Sequence, residues 1–126
     1  MGCKEKDEKV RRLLERMKEK RGYVVPEWEF LIKKDPEFFE AYENLYDKSL
    51  MDGKALPAKV RELIAIAILA FRGQREAVLS HVKRALALGA TKDEILEAIE
   101  TAMVPGGAPT LAIGLYALKK IEEEGG

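Results

Sequence analysis

Glu62 stands just before a nine-residue apolar run, Leu63 to Phe71, and His81, the only histidine in the chain, follows after a short polar break. A carboxylate and an imidazole are enough to handle a proton. Histidine is the only side chain that ordinarily changes charge near neutrality, and a carboxylate partly removed from water can orient it or exchange protons with it. An apolar helix, a turn and a second helix carrying the imidazole form a natural frame for holding the two together. Each residue also has a plainer reading. Glu62 fits a solvated glutamate near a helix N-terminus, favoured by the dipole, and His81 fits a structural histidine in a helix–helix contact.

Other groups around these two helices bear on the chemistry. Arg61, Arg72, Arg75, Lys83 and Arg84 cluster there; such side chains bind carboxylates, and as often form a solvated face or interface ion pairs. Pro105-Gly106-Gly107 can offer backbone N–H groups to an anion or simply make a tight turn, and it lacks the spacing of a nucleotide loop. Ser80 adjoins His81 in sequence, but helix neighbours point about 100° apart, which argues against an activated serine. One histidine without a cysteine cluster or carboxylate–histidine spacing does not make a metal site, so no metal is expected. Cys3 is the only cysteine, so no intrachain disulfide can form and a reducing compartment is expected.

Composition narrows the class. The chain has 126 residues, enough for a single domain with little apolar surface to spare. Apolar residues at 47% and charged residues at 35% exclude a disordered or membrane composition. The 22 basic residues cancel the 22 acidic ones, and the signs are interspersed. That leaves no basic footprint for nucleic acid and no polybasic anchor for a membrane. Abundant Lys, Arg and Glu, with Asn44 and Gln74 the only amide side chains, match the composition of heat-adapted proteins. The charged first twenty residues lack the apolar centre of a signal peptide. Met1-Gly2-Cys3 looks like a lipidation start, but Lys6 sits where myristoylation wants Ser or Thr. Leu63–Phe71 falls far short of the roughly 20 residues that span a bilayer. A cytoplasmic protein is expected.

The elements that must position these groups read as helices. Val10, Leu13, Leu14 and Met17 make one stripe over residues 5–21, ended by Gly22. Pro26 suits the first turn of a short helix carrying Trp28, Phe30, Leu31 and Ile32. Asp35-Pro36 starts another, bearing Phe38, Phe39, Tyr42, Leu45 and Tyr46 and closed by Gly53. Leu56-Pro57 opens the apolar helix, expected to be buried on all sides as a central helix or at a subunit interface. Gly73 breaks it, and the histidine helix runs to about Leu88. Thr91-Lys92-Asp93-Glu94 is a capping box, with Ile95, Ile99, Ala102 and Met103 on one face beyond it. Pro105 to Pro109 is expected to break the chain sharply before a last helix through Leu118, and the terminal Glu-Glu-Glu-Gly-Gly is expected to fray. No stretch alternates as a strand. The expectation is an all-α protein of six to seven helices, a single domain overall: an N-terminal amphipathic helix over 1–22 and a helical domain over 23–126. The first fifty-odd residues are expected to form a semi-independent cap.

The segment from about Pro57 to Leu118 resembles the carboxymuconolactone decarboxylase family, which has the alkylhydroperoxidase D-like all-helical fold. The likeness is carried by Leu56-Pro57-Ala58-Lys59-Val60-Arg61-Glu62-Leu63-Ile64-Ala65, His81-Val82-Lys83-Arg84-Ala85-Leu86, Gly89-Ala90-Thr91-Lys92-Asp93-Glu94-Ile95 and Gly106-Gly107-Ala108-Pro109. Val25-Pro26-Glu27-Trp28 and Asp35 to Tyr42 look like the lead-in helices. In the peroxidase branch a glutamate is followed by Cys-x-x-Cys-x-x-x-His. Here the glutamate falls at Glu62 and the histidine at His81, while the cysteine positions hold Gln74 and Ala77. Peroxide reduction needs an attacking and a resolving thiol, so cysteine-based peroxidase activity is not expected.

The resemblance instead implies the decarboxylase branch, which removes CO2 from 4-carboxymuconolactone without a cofactor. It implies His81 as proton donor and Glu62 as its orienting partner. Arg72 or Arg75 would hold a substrate carboxylate, and the Gly106-Gly107 backbone would face the developing oxyanion. A small carboxylated lactone is the expected ligand, and a homohexamer, a trimer of dimers, the expected assembly. Two other readings stay open: a family member that has lost its redox cysteines and acts on another small molecule, and a non-enzymatic oligomeric binding protein.

Overall fold

The computed structural model describes residues 2–125, with the Arg21 side chain left out of the account. Seven α-helices and no strand occur among the described residues: α1 (Cys3–Arg21), α2 (Pro26–Lys34), α3 (Pro36–Leu50), α4 (Ala58–Phe71), α5 (Arg75–Ala87), α6 (Lys92–Gly106) and α7 (Ala108–Glu123). They form two compact units, one up to Lys48 and the other from Ser49 on.

In the first unit, Leu13 and Met17 of α1 meet Ile32 of α2 and Phe39 of α3 in a small core. Trp28 and Tyr42 flank it with ring centroids 5.2 Å apart, an apolar contact with a favourable tilted geometry. Ion pairs tie α1 to α3, among them Lys9 with Glu40 at 2.8 Å and Arg16 with Asp47 at 2.7 Å. The punctuation follows local chemistry. Gly22 takes φ +81° and returns its N–H to the Lys18 carbonyl, a left-handed turn that glycine enters without a side-chain clash. Asp35 caps α3 by accepting from the Phe38 N–H at 3.1 Å.

The second unit holds the chemistry. Helices α4 to α7 pack around Ile66, Ala70, Val78, Val82, Ala85, Ile95, Ile99, Ala117 and Ile121. The capping box at the start of α6 is complete: Glu94 N–H donates to Thr91 Oγ1 at 3.0 Å, and Thr91 N–H donates to Glu94 Oε1 at 2.9 Å. Between α6 and α7 the backbones come close at Gly114, which faces the buried Ile99 side chain.

The structure refines the expected helices. Helix α4 buries only one side: Ile64, Ile68 and Phe71 keep 46%, 54% and 64% of their surface exposed. Its core stripe is Glu62, Ile66 and Ala70, four residues apart. Helix α3 ends at Leu50, before Gly53. Pro105 does not stop α6, which continues through Gly106; the break comes at Gly107, where φ reaches +88°. Helix α7 runs to Glu123, carrying most of the acidic tail with it, while Gly126 lies outside the described residues.

Candidate functional site

Helices α4 and α5 form a hairpin closed by Arg72, Gly73 and Gln74, with Gly73 at φ +72°. Glu62 continues the buried stripe of α4 to its N-terminal end and is itself fully buried. On α5 the buried positions are Val78, Val82 and Ala85. His81 falls at the edge of that stripe, so its side chain keeps 13% of its surface. The pairing is therefore a result of helix periodicity. A carboxylate in the core meets an imidazole at the core boundary, and His81 Nδ1 hydrogen-bonds Glu62 Oε1.

The second carboxylate oxygen, Oε2, is shut off from solvent and has no hydrogen bond. Its nearest charge is Arg84 Nε, at 3.4 Å. Arg84 lies three residues after His81, which places both on one side of α5. Its side chain is 40% exposed and Glu62 is not exposed at all, so the guanidinium reaches inward from the surface. An ionised Glu62 accepts from His81 Nδ1–H.

The five clustered cations have different surroundings. Arg61 donates to the Met51 carbonyl at 2.9 Å and fastens the chain ahead of α4. Arg72 is exposed at the end of α4. Arg75 lies over the Tyr116 ring, 4.3 Å from its centroid, a cation–π contact. Lys83 pairs with Glu124 at 3.6 Å. Only Arg84 is recorded against the Glu62 carboxylate. Sequence reasoning placed Arg84 in the cluster without a role; its distance of three residues from His81 was the available signal.

In the α6–α7 turn, Gly106 packs tightly. A Cβ there would lie 2.5 Å from Thr110 Oγ1, and the Gly106 carbonyl accepts from that hydroxyl at 3.0 Å. The Gly107 N–H donates to the Met103 carbonyl at 2.6 Å. These glycines are engaged in the α6–α7 turn, and the Gly107 N–H is committed within it. No group of three or more His, Cys, Asp or Glu fit to hold a metal ion occurs among the described residues. No described helix is long and apolar enough to cross a membrane.

Residues 36–120 match the carboxymuconolactone decarboxylase family. An uncharacterized protein of Methanocaldococcus jannaschii is 32% identical over 92 residues, covering 72% of this chain and 85% of its own length. One from Cupriavidus necator is 33% identical, covering 68% of this chain and 73% of its own length. Among solved structures, a carboxymuconolactone decarboxylase family protein of Legionella pneumophila superposes with a TM-score of 0.68 at 25% identity, covering 94% of this chain and 96% of its own. A presumed carboxymuconolactone decarboxylase from Burkholderia xenovorans LB400 shares the fold with a TM-score of 0.77 at 24% identity, covering 94% and 95% of the two chains. The chain belongs to the carboxymuconolactone decarboxylase family, in its all-helical fold.

Proposed function

We propose that this protein is a cofactor-free decarboxylase acting on a small carboxylated lactone, with His81 as proton donor and Glu62 as its orienting partner. The observation that carries the reading is the contact between His81 Nδ1 and the buried Glu62 carboxylate, in a chain of this family. Decarboxylation breaks the bond between carbon and carboxylate. CO2 leaves, the electron pair stays behind and is delocalised onto the lactone oxygen, and a proton must reach the carbon. With Nδ1 held by Glu62, that proton travels through Nε2, which takes it from water and delivers it to the carbanion. Arg72 and Arg75 are the proposed contacts for a substrate carboxylate. The Gly106-Gly107 turn stays in the proposal as a wall of the substrate site, with the Gly107 N–H tied to the Met103 carbonyl.

Thiol chemistry has no second partner here. Gln74 and Ala77 occupy the places where the peroxidase branch has cysteines, and Cys3 is the chain's one thiol. The deciding experiment measures CO2 release from 4-carboxymuconolactone at elevated temperature, with His81→Ala beside the wild type. Turnover in the wild type, reduced roughly 10²-fold or more in the variant, is the expected result. No release from the wild type sinks the reading; equal release from both removes His81 from the mechanism.

A further inference from the structure

We propose that α1 is a strap held down by charge: ionic strength sets how firmly it docks against α3, and high salt releases it from the core of the first unit.

The two helices carry matching rows of opposite charge. On α1, Lys9, Arg12, Arg16 and Lys20 follow one another at steps of three and four residues, a spacing that keeps them on one side of the helix. On α3, Glu40, Glu43 and Asp47 do the same. The rows meet. Glu40 takes Lys9 at 2.8 Å and Arg12 at 3.4 Å. Asp47 takes Arg16 at 2.7 Å and also Lys20, which reaches Glu43 at 3.4 Å.

Without α1, the acidic row opposes itself. Glu43 and Asp47 stand four residues apart, where like charges weaken a helix. No Lys or Arg lies three or four residues from Glu40, Glu43 or Asp47 in the sequence, so the cations of α1 supply the counter-charge. A surface ion pair is weak by itself, and such pairs count when several form a network. Here Glu40 and Asp47 each hold two cations. The apolar contact of α1 is thin. Leu13 and Met17 are its buried contribution to the core, with Val10 and Leu14 at the edge. That contact must offset the ordering of a 19-residue segment, in a unit small enough to be marginally stable. The ladder therefore decides whether α1 stays. Salt reaches it, because its cations keep between 17% and 63% of their side-chain surface. The screening length shrinks from roughly 30 Å at 0.01 M to roughly 3 Å at 1 M.

Hydrogen exchange of the full chain, read by mass spectrometry, compares those two salt concentrations. Amides of α1 are expected to exchange about tenfold faster at high salt, while those of α4 to α7 change little. Trp28 is the only tryptophan and packs against the core that Leu13 and Met17 complete, so its emission is expected to shift to the red in step. Asp47→Asn weakens the acceptor shared by Arg16 and Lys20. In that variant α1 is expected to exchange faster already at low salt and to respond less to added salt. Glu40→Gln serves in its place, for Lys9 and Arg12, if the asparagine chain does not fold, with helical circular dichroism as the check. Leu13→Ala is the control: it loosens α1 at both concentrations and keeps the salt response.

Equal exchange of α1 at both concentrations overturns the proposal, and is readable without any variant. So does an acceleration shared by all seven helices. A folded neutral variant that keeps the full salt response also overturns it, because the response would then not belong to the ladder. These readouts need no substrate, so failure of CO2 release counts against the decarboxylase reading alone.

Discussion

Gly114 of α7 lies so close to α6 that a Cβ on it would come within 2.4 Å of Ile99 Cγ2, with two further atoms of the same side chain within 2.8 Å. Ile99 is itself fully buried. It is branched at Cβ and stiff at χ1, so it has little room to yield. Mid-helix, alanine is ordinarily preferred to glycine by about 1 kcal/mol. Here overpacking, worth roughly 1–3 kcal/mol, opposes and outweighs that preference. Gly114→Ala is expected to lower the unfolding free energy measured in denaturant. A stabilised variant would show that the two helices can separate at no cost.

Glu62 can be separated from a purely structural role by a hydrophobic replacement. Its position continues the stripe of Ile66 and Ala70, and both of its partners are partly exposed, so they can rehydrate when it is removed. Removing one member of a buried ion pair is costly when the other stays buried and uncompensated, a cost that the exposure of Arg84 reduces here. Glu62→Leu is expected to unfold within about 1 kcal/mol of the wild type, or above it, while losing CO2 release. A loss of more than about 3 kcal/mol in the same denaturant titration would make the carboxylate a structural staple.

Much of the fold was legible from short-range chemistry. Asp35 before Pro36, the Thr91–Glu94 box and the glycines at 22 and 73 set helix limits through side-chain caps and left-handed backbone, which depend on neighbours in sequence. The pairing of Glu62 with His81 was legible as two residues on consecutive helices. The close approach at Gly114 was not, because it depends on how α6 and α7 meet. The exposed side of α4 was hidden by its own composition: a helix apolar all round carries no mark of which side faces the core. Arg84 stood among five similar cations, and its distance of three residues from His81 was the one mark the sequence carried.

The pH dependence of stability has a definite sign at the start of α6. Glu94 is held below its ordinary 4.5, first by the backbone N–H of Thr91, then by Lys59, whose Nζ lies 3.0 Å from its carboxylate. A carboxylate whose value is lowered on folding stabilises the fold above its unfolded value. That contribution is lost as the pH falls through the lower folded value. Acid titration of unfolding is therefore expected to show stability declining below about pH 4.5. Glu94→Gln, which removes the titrating carboxyl and keeps an acceptor for the Thr91 N–H, should make the decline shallower. An unchanged acid slope in that variant would contradict the assignment.

Assembly is expected as a homohexamer, a trimer of dimers. The reading is supported by the row of Ile64, Ile68 and Phe71, each about half exposed or more in the single chain, since large side chains left bare along one helix side favour association. Multi-angle light scattering at micromolar concentration checks this directly, and a clean monomer would contradict it.

The carboxylate of Glu62 is met by two residues of a single turn of α5, and that constrains how the hairpin can slip. Along the apolar row of α5, a displacement of one turn, about 5.4 Å, would bring Val82 to the place of Val78 and Leu86 to that of Val82, so aliphatic contact would persist there. The charge would not. After such a slide, Ala77 or Ala85 would replace the imidazole, and Ser80 or Leu88 would replace the guanidinium. The carboxylate would then be enclosed without a counter-charge. The two helices are thus keyed to one alignment by a contact that does not tolerate near misses.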